Sequence, residues 1–139
     1  MRGSCEGGAA ARGVRGVSLS AFVAVAVLAL ILVAGLVVDG GQQAAAHRRA
    51  ESVAARAARA ATDASAPYRL LGADGSVQAL AAARNVLAGA EGIDGRADVL
   101  AGGRLEVTTS VRFSTVLLSV IGIDSLEASG EAVAELQQK

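Results

Sequence analysis

Aromatic side chains are almost missing from this chain: it has Phe22, Tyr68 and Phe113, and no tryptophan. There is one cysteine, Cys5, one histidine, His47, and one proline, Pro67. A single Cys and a single His cannot build a structural zinc site or a disulfide framework. So few aromatics argue against a large, well-filled soluble core, because these residues carry much of the buried area in such cores. Charge of one sign is lacking too. Thirteen basic and thirteen acidic residues cancel, which removes the bulk electrostatic reason to bind nucleic acid. Lysine occurs once, at Lys139, against twelve arginines, a bias expected of GC-rich coding. At 139 residues the chain has room for one modest domain.

What is present is apolar and small. Apolar residues make up 53% of the chain, with 32 alanines and 17 glycines. Much of the hydrophobicity lies in one block, Val17 to Val38, which is 22 residues without a charge. As a helix it measures roughly 33 Å, enough to cross a hydrocarbon core of about 30 Å. A cleavable signal has an apolar region of only about 7–15 residues, so residues 17–38 read as a retained transmembrane helix. The alternative is a removed signal, with Ala44-Ala45-Ala46 imitating a cleavage site. Arg12 and Arg15 adjoin the N-terminal end of the block and Asp39 the other. That proximity places the N-terminus in the cytoplasm and the larger segment outside, in a single-pass arrangement at the cell membrane.

Net charge is zero only as an average. Residues 1–60 carry +4 and residues 61–139 carry −4. The basic part flanks the block, making Arg12, Arg15, Arg48 and Arg49 candidates for contact with anionic headgroups.

Residues 1–16 are glycine-rich without a period and read as a disordered cytoplasmic leader. Beyond the block, Gly40-Gly41 is a weak point for a helix, since each glycine costs about 1 kcal/mol against alanine. Residues 39–65 then form a membrane-proximal Ala/Arg-rich helix. Ala46, Ala50, Val53, Ala57, Ala60 and Ala64 recur at spacings of four and three, a heptad-like stripe. Such a seam packs either on its own domain or along neighbouring copies, so a homo-oligomer is one expectation. Pro67 is expected to end the helix.

Residues 66–139 read as a small α/β domain outside the membrane. Ser76 as N-cap opens a helix, SVQALAAARNVLAGA. Arg96 to Leu100 reads as a strand and Ala101-Gly102-Gly103 as a hairpin turn. Arg104 to Phe113 alternates, with Leu105, Val107, Thr109, Val111 and Phe113 on one face. Ser114 to Ile121 is an apolar run, read as a short helix or buried crossing, which Gly122 breaks. A last strand follows within 123–136. The fold class is therefore α+β: a long N-terminal helix, then a small helix and about three antiparallel strands. A head of roughly 70 residues has a marginal core on its own, so the long helix or a partner is expected to complete it.

Chemistry is sparse. His47 sits on a basic polar face and reads as solvated surface, with no serine or cysteine to activate. Asp94 with Asp98, and Glu131 with Glu135, are acid pairs without the spaced oxygen ligands of a calcium loop. The paired glycines lack the lysine of a phosphate-cradling loop. No enzyme activity and no cofactor are expected. Asp39, at the end of an apolar span, has two readings. It marks the membrane boundary, or it sets helix registry by pairing with an arginine or a free N-terminal amine of a neighbouring subunit. Ser20 and Ala24 make one small-xxx-small pair within the span, a feature of helix–helix contact.

Arg15-Gly16, the apolar helix to Val38, Val38-Asp39-Gly40-Gly41, and Arg48-Arg49-Ala50-Glu51 leading into Ala57-Ala58-Arg59-Ala60-Ala61 together resemble the TadE/TadG-like family of Flp (Tad) pilus assembly proteins. The resemblance covers about residues 15–64. It implies a pilin-like fold and a non-catalytic, minor-pilin-like or pseudopilin-like role in building a pilus or secretion apparatus. The partners it implies are the Tad/Flp pilus machinery and the Flp pilin, beside the lipid bilayer. No acid stands at the fifth position after Gly16, where prepilin-type processing favours glutamate. Glu51 and Ala55-Arg56 lie nearer the TadE style, and the subtype stays open. The competing function is a secreted small α/β binding module whose residues 17–38 are a cleaved signal.

Overall fold

The computed structural model describes residues 13–136, with side chains from residue 19 onward. Two units divide the chain, one ending at Val37 and one beginning at Val38. The first helix, α1 (Gly13–Leu70), is 58 residues long and contributes to both. After it come α2 (Ser76–Ala88), β1 (Asp94–Leu100), β2 (Arg104–Ser114), one 3-10 turn at Leu118–Ile121 and β3 (Ser125–Glu135). The arrangement is α+β, with a three-stranded antiparallel sheet in the order β1-β2-β3.

In the first unit the apolar residues of α1 stand exposed, Phe22, Leu28 and Ile31 among them. A window of α1 near its start has a mean hydropathy of 3.1 and no buried share. This helix is long and apolar enough to cross a membrane.

Two local expectations need correction, while the long N-terminal helix is as expected: it runs unbroken through Gly40-Gly41. Two glycines cost about 2 kcal/mol together, and tertiary packing of the residues that follow outweighs so small a preference. Pro67 does not end the helix, which reaches Leu70. A proline ring conflicts with the carbonyl one turn before it, while residues after it can stay helical. Termination comes at Gly72: its amide donates to the Arg69 carbonyl at 3.1 Å, and that of Ala73 to Tyr68 at 2.8 Å, the bond pair of a Schellman motif. Finally, Ser76 is the first residue of α2 and Gly75 its N-cap. The capping acceptor is Asp74, whose Oδ1 receives the Ser76 amide at 2.9 Å and also its hydroxyl.

The second unit builds its core from one face of α1. Val53, Ala54, Ala57, Ala58 and Ala61 pack with Ala79, Ala83 and Leu87 of α2 and with Ala97, Leu105, Val107 and Ala134 of the sheet. A smaller cluster joins Ala46 and Ala50 to Val111 and Ala128. β2 alternates as its sequence does: Leu105, Val107, Thr109 and Val111 are buried, and Thr108 and Arg112 exposed. Most of the buried apolar residues are alanines, so elements must approach closely to exclude water. The closest approach is at Gly130 of β3. A Cβ there would lie 2.3 Å from the Glu51 nitrogen and 2.5 Å from the Ala50 carbonyl carbon. Strand and helix backbones touch at that point, with no room for a side chain.

Candidate functional site

The residue that does most to shape the second unit near its start is Asp39. It is 5% exposed and follows directly on the uncharged block. Its Oδ1 accepts the amide of Val116 at 2.8 Å. Its Oδ2 accepts those of Leu117 at 2.9 Å and Leu118 at 3.1 Å. Three successive N–H groups thus converge on one carboxylate, as they do on anions at the start of a helical turn. The bond from Val116 holds the Asp39 carboxyl below the usual carboxylate range; burial opposes this, and the bonds from Leu118 and Leu117 add to it. The group is therefore an anion whose partners are amides of its own chain.

The far end of the same turn is closed by Gly122, at φ +89°, a conformation in which a side chain would be strained. The Gly122 amide donates to Ser119 and that of Ile123 to Leu118, both at 3.0 Å. The Thr115 amide donates to the Asp124 carbonyl at 3.1 Å, and its hydroxyl donates to the Ile123 carbonyl. The run 114–121 was expected as a short helix or buried crossing. It holds a short 3-10 helix at Leu118–Ile121 with no buried residue; Thr115 before it is buried, while Val116, Val120 and Ile121 face outward.

A second polar link joins the sheet to α1. Thr109, 1% exposed, donates its hydroxyl to the Ala50 carbonyl at 2.9 Å, with the Gly130 carbonyl at 3.3 Å. The bond sits beside the Gly130 contact and satisfies a hydroxyl that would be costly to bury alone.

Of the stripe, Ala46, Ala50, Val53 and Ala57 are buried, while Ala60 and Ala64 are half-buried. The buried line passes instead through Ala61 and Ser65. Residues of a straight helix drift from a 3.5-residue repeat by about 20° per heptad, so a heptad-like stripe does not stay centred on the inner face. Ser20 and Ala24 lie exposed on α1 in the first unit.

Of the arginines, Arg48 is exposed, and Arg49 donates through Nη2 to the Glu91 carbonyl at 2.9 Å, a bond within the second unit. Arg12 lies outside the described residues, as does the side chain of Arg15. His47 has a carboxylate neighbour four residues on that its sequence context already offered: Nε2 lies 3.3 Å from Glu51 Oε1, with both side chains more than half exposed. Arg96 Nε bonds Asp98 Oδ2 at 2.6 Å, so one member of the Asp94/Asp98 pair already has a cation. Among the described residues, no group of three or more His, Cys, Asp or Glu is placed to hold a metal ion.

The arrangement is a structural clasp: an anion, a helix backbone and a sheet. Comparison with known families matches residues 16–66 to the model of Flp pilus-assembly TadE/G-like proteins. Those residues are similar to a TadE/G-like domain. That match takes in the apolar stretch, Asp39 and the alanine face of α1, and it ends one residue before Pro67. No curated protein and no solved structure matches the chain. That family is described as one of pilus assembly.

Proposed function

We propose that this protein is a membrane-anchored, non-catalytic component in the assembly of a Tad/Flp-type pilus or a related secretion apparatus, with a minor-pilin-like or pseudopilin-like role. One observation carries the reading. The TadE/G-like segment, residues 16–66, is a single helix in which an exposed apolar stretch leads into the alanine face that forms the core of the head. Anchor and core are thus successive parts of one helix.

In this reading residues 17–38 cross the bilayer, the N-terminus is cytoplasmic, and the head stands outside. Residues 39–65 serve as the membrane-proximal helix that binds the head of residues 66–139. The partners are the bilayer, the pilus machinery and the Flp pilin. Arg12, Arg15 and Arg48 lie where anionic headgroups are found, and Ser20 and Ala24 offer a seam for a neighbouring helix in the membrane.

A deletion strain complemented in two ways tests this. The full chain restores surface filaments or secretion; a chain whose residues 1–46 are replaced by a cleavable secretion signal does not. Restoration by the secreted version, or a mature protein lacking about its first 46 residues, overturns the anchored reading. Topology is read from the native Cys5. A membrane-impermeant maleimide leaves it unlabelled in intact cells while labelling Ser129→Cys in the head; labelling of Cys5 reverses the orientation.

A further inference from the structure

The segment 113–123 runs eleven residues without a charge, yet from Val116 on none of it is buried. Val116 is 59% exposed, Val120 81%, Ile121 71% and Ile123 41%. A cluster of large apolar side chains at a surface marks a site that meets another apolar phase. Two observations say which phase. The first is position. The segment is fixed by three backbone bonds to Asp39, and Asp39 is the next residue after the uncharged stretch ending at Val38. The turn is thus bonded to the residue that borders the apolar stretch in the chain.

The second is that the backbone at the base of the turn is paired, while the carbonyls of Val120 and Ile121 stay open at its tip. The amides of Val116, Leu117 and Leu118 go to Asp39. The Ser119 hydroxyl donates to the Val116 carbonyl at 2.6 Å. The Leu117 carbonyl receives the Val120 amide at 3.1 Å, and the Leu118 and Ser119 carbonyls receive those of Ile123 and Gly122. Pairing of this kind lowers the cost of bringing an irregular segment to a low-polarity boundary, where hydrated headgroups can still meet the open tip carbonyls. A protein surface needs no such pairing, since it can supply partners of its own.

We propose that the tip formed by Val116, Val120, Ile121 and Ile123 is a second membrane contact, a wedge that inserts into the headgroup–acyl boundary. It ties the head to the bilayer surface, and it does so without the tryptophans and tyrosines that commonly fill that role. The inference rests on residues 17–38 crossing the bilayer, as set out above.

The chain has no tryptophan, so single substitutions give clean probes. Leu28→Trp, Ile121→Trp, Val120→Trp and Val77→Trp variants of the full chain are placed in phosphatidylcholine bilayers with plain or brominated acyl chains. Val77 is 76% exposed on α2 and serves as the solvent reference. Far-UV circular dichroism confirms that each variant keeps its fold, and Val120→Trp repeats the test if Ile121→Trp does not. Expected are a blue-shifted emission and bromine quenching for Leu28→Trp, Ile121→Trp and Val120→Trp, and neither for Val77→Trp. Quenching of Leu28→Trp without quenching at 120 or 121 overturns the wedge and leaves the anchor standing. A blue shift at 121 without quenching means that a protein surface, a second copy or a partner, covers the tip, which also overturns it. No quenching of Leu28→Trp removes the membrane-spanning reading and the wedge with it.

Discussion

The carboxylate of Asp39 meets the amide of Val116, 77 residues later in the chain, at 2.8 Å. This contact and its two neighbours fasten the β2–β3 connection to the helix at the start of the second unit. A bond of this kind is conditional on charge. Below its folded-state pKa the carboxyl is neutral and accepts amide bonds less strongly, since bonds to an ionised acceptor are the stronger ones.

The first prediction follows from the sign of that shift. A carboxyl held below its unfolded value of about 3.9 contributes stability that is complete above that value. The contribution is lost as pH falls from there through the folded-state value. Thermal unfolding of the full chain in detergent, followed by circular dichroism from neutral pH downward, is expected to show a steep loss in this acid window. Asp39→Asn flattens it. Asp74, lowered first by the Ser76 hydroxyl and then by the Ser76 amide, contributes in the same window, so Asp74→Asn is the necessary companion. A pH profile unchanged by Asp39→Asn contradicts the clasp.

At Gly130 the expected result is a loss without gain. The methyl of Gly130→Ala would fall on the backbone of Ala50 and Glu51, where no rotamer can make way. Overpacking of this kind costs about 1–3 kcal/mol, read as a lower unfolding midpoint. Gly92→Ala, where nothing lies within 4 Å, faces only the penalty of its positive φ. It separates crowding from backbone strain.

Gly40 and Gly41 predict the opposite. A Cβ at either position meets nothing within 4 Å, and both residues are helical. Gly40→Ala with Gly41→Ala is expected to stabilise α1 by about 1 kcal/mol per site, seen as higher helicity and a higher midpoint. If the double variant instead loses filament assembly while gaining stability, the pair serves bending of the helix and not its packing.

Leu105 is wholly buried and among the largest side chains in an alanine-dominated core. Leu105→Ala is expected to cost about 2–5 kcal/mol, a large share of the stability of so small a head. The neighbouring bond from Thr109 is worth less: Thr109→Val removes the hydroxyl but fills the space, at about 1 kcal/mol. The ratio of the two unfolding shifts checks whether packing or polarity dominates the seam.

Much of this arrangement was legible in the sequence because it is periodic. The alternation of Leu105, Val107, Thr109 and Val111 has the period of a half-buried strand, and the strand lies where it reads. The uncharged run ending at Val38 and the alanine face after it have helical signatures of comparable strength. Features that depend on distant residues were not legible. No local pattern pairs Asp39 with Val116, or shows that Gly130 is a point of contact and not a strand breaker. The run Val116–Ile121 has the composition of buried chain, yet its neighbours in space leave it outside. Composition reports what a segment is suited to contact, and in this case the apolar phase it suits is not the protein's own interior.

The meeting of Gly130 with Ala50 and Glu51 has a mechanical side. Where elements are joined through long side chains, a pull is absorbed by rotamer changes before it moves the backbone. Between β3 and α1 there is no side chain at the closest point, and the Thr109 bond lies alongside. Traction on the sheet is handed straight to the helix, main chain to main chain, with very little slack. A head built this way behaves as a rigid handle on α1, and it will sooner tilt that helix than slide along it.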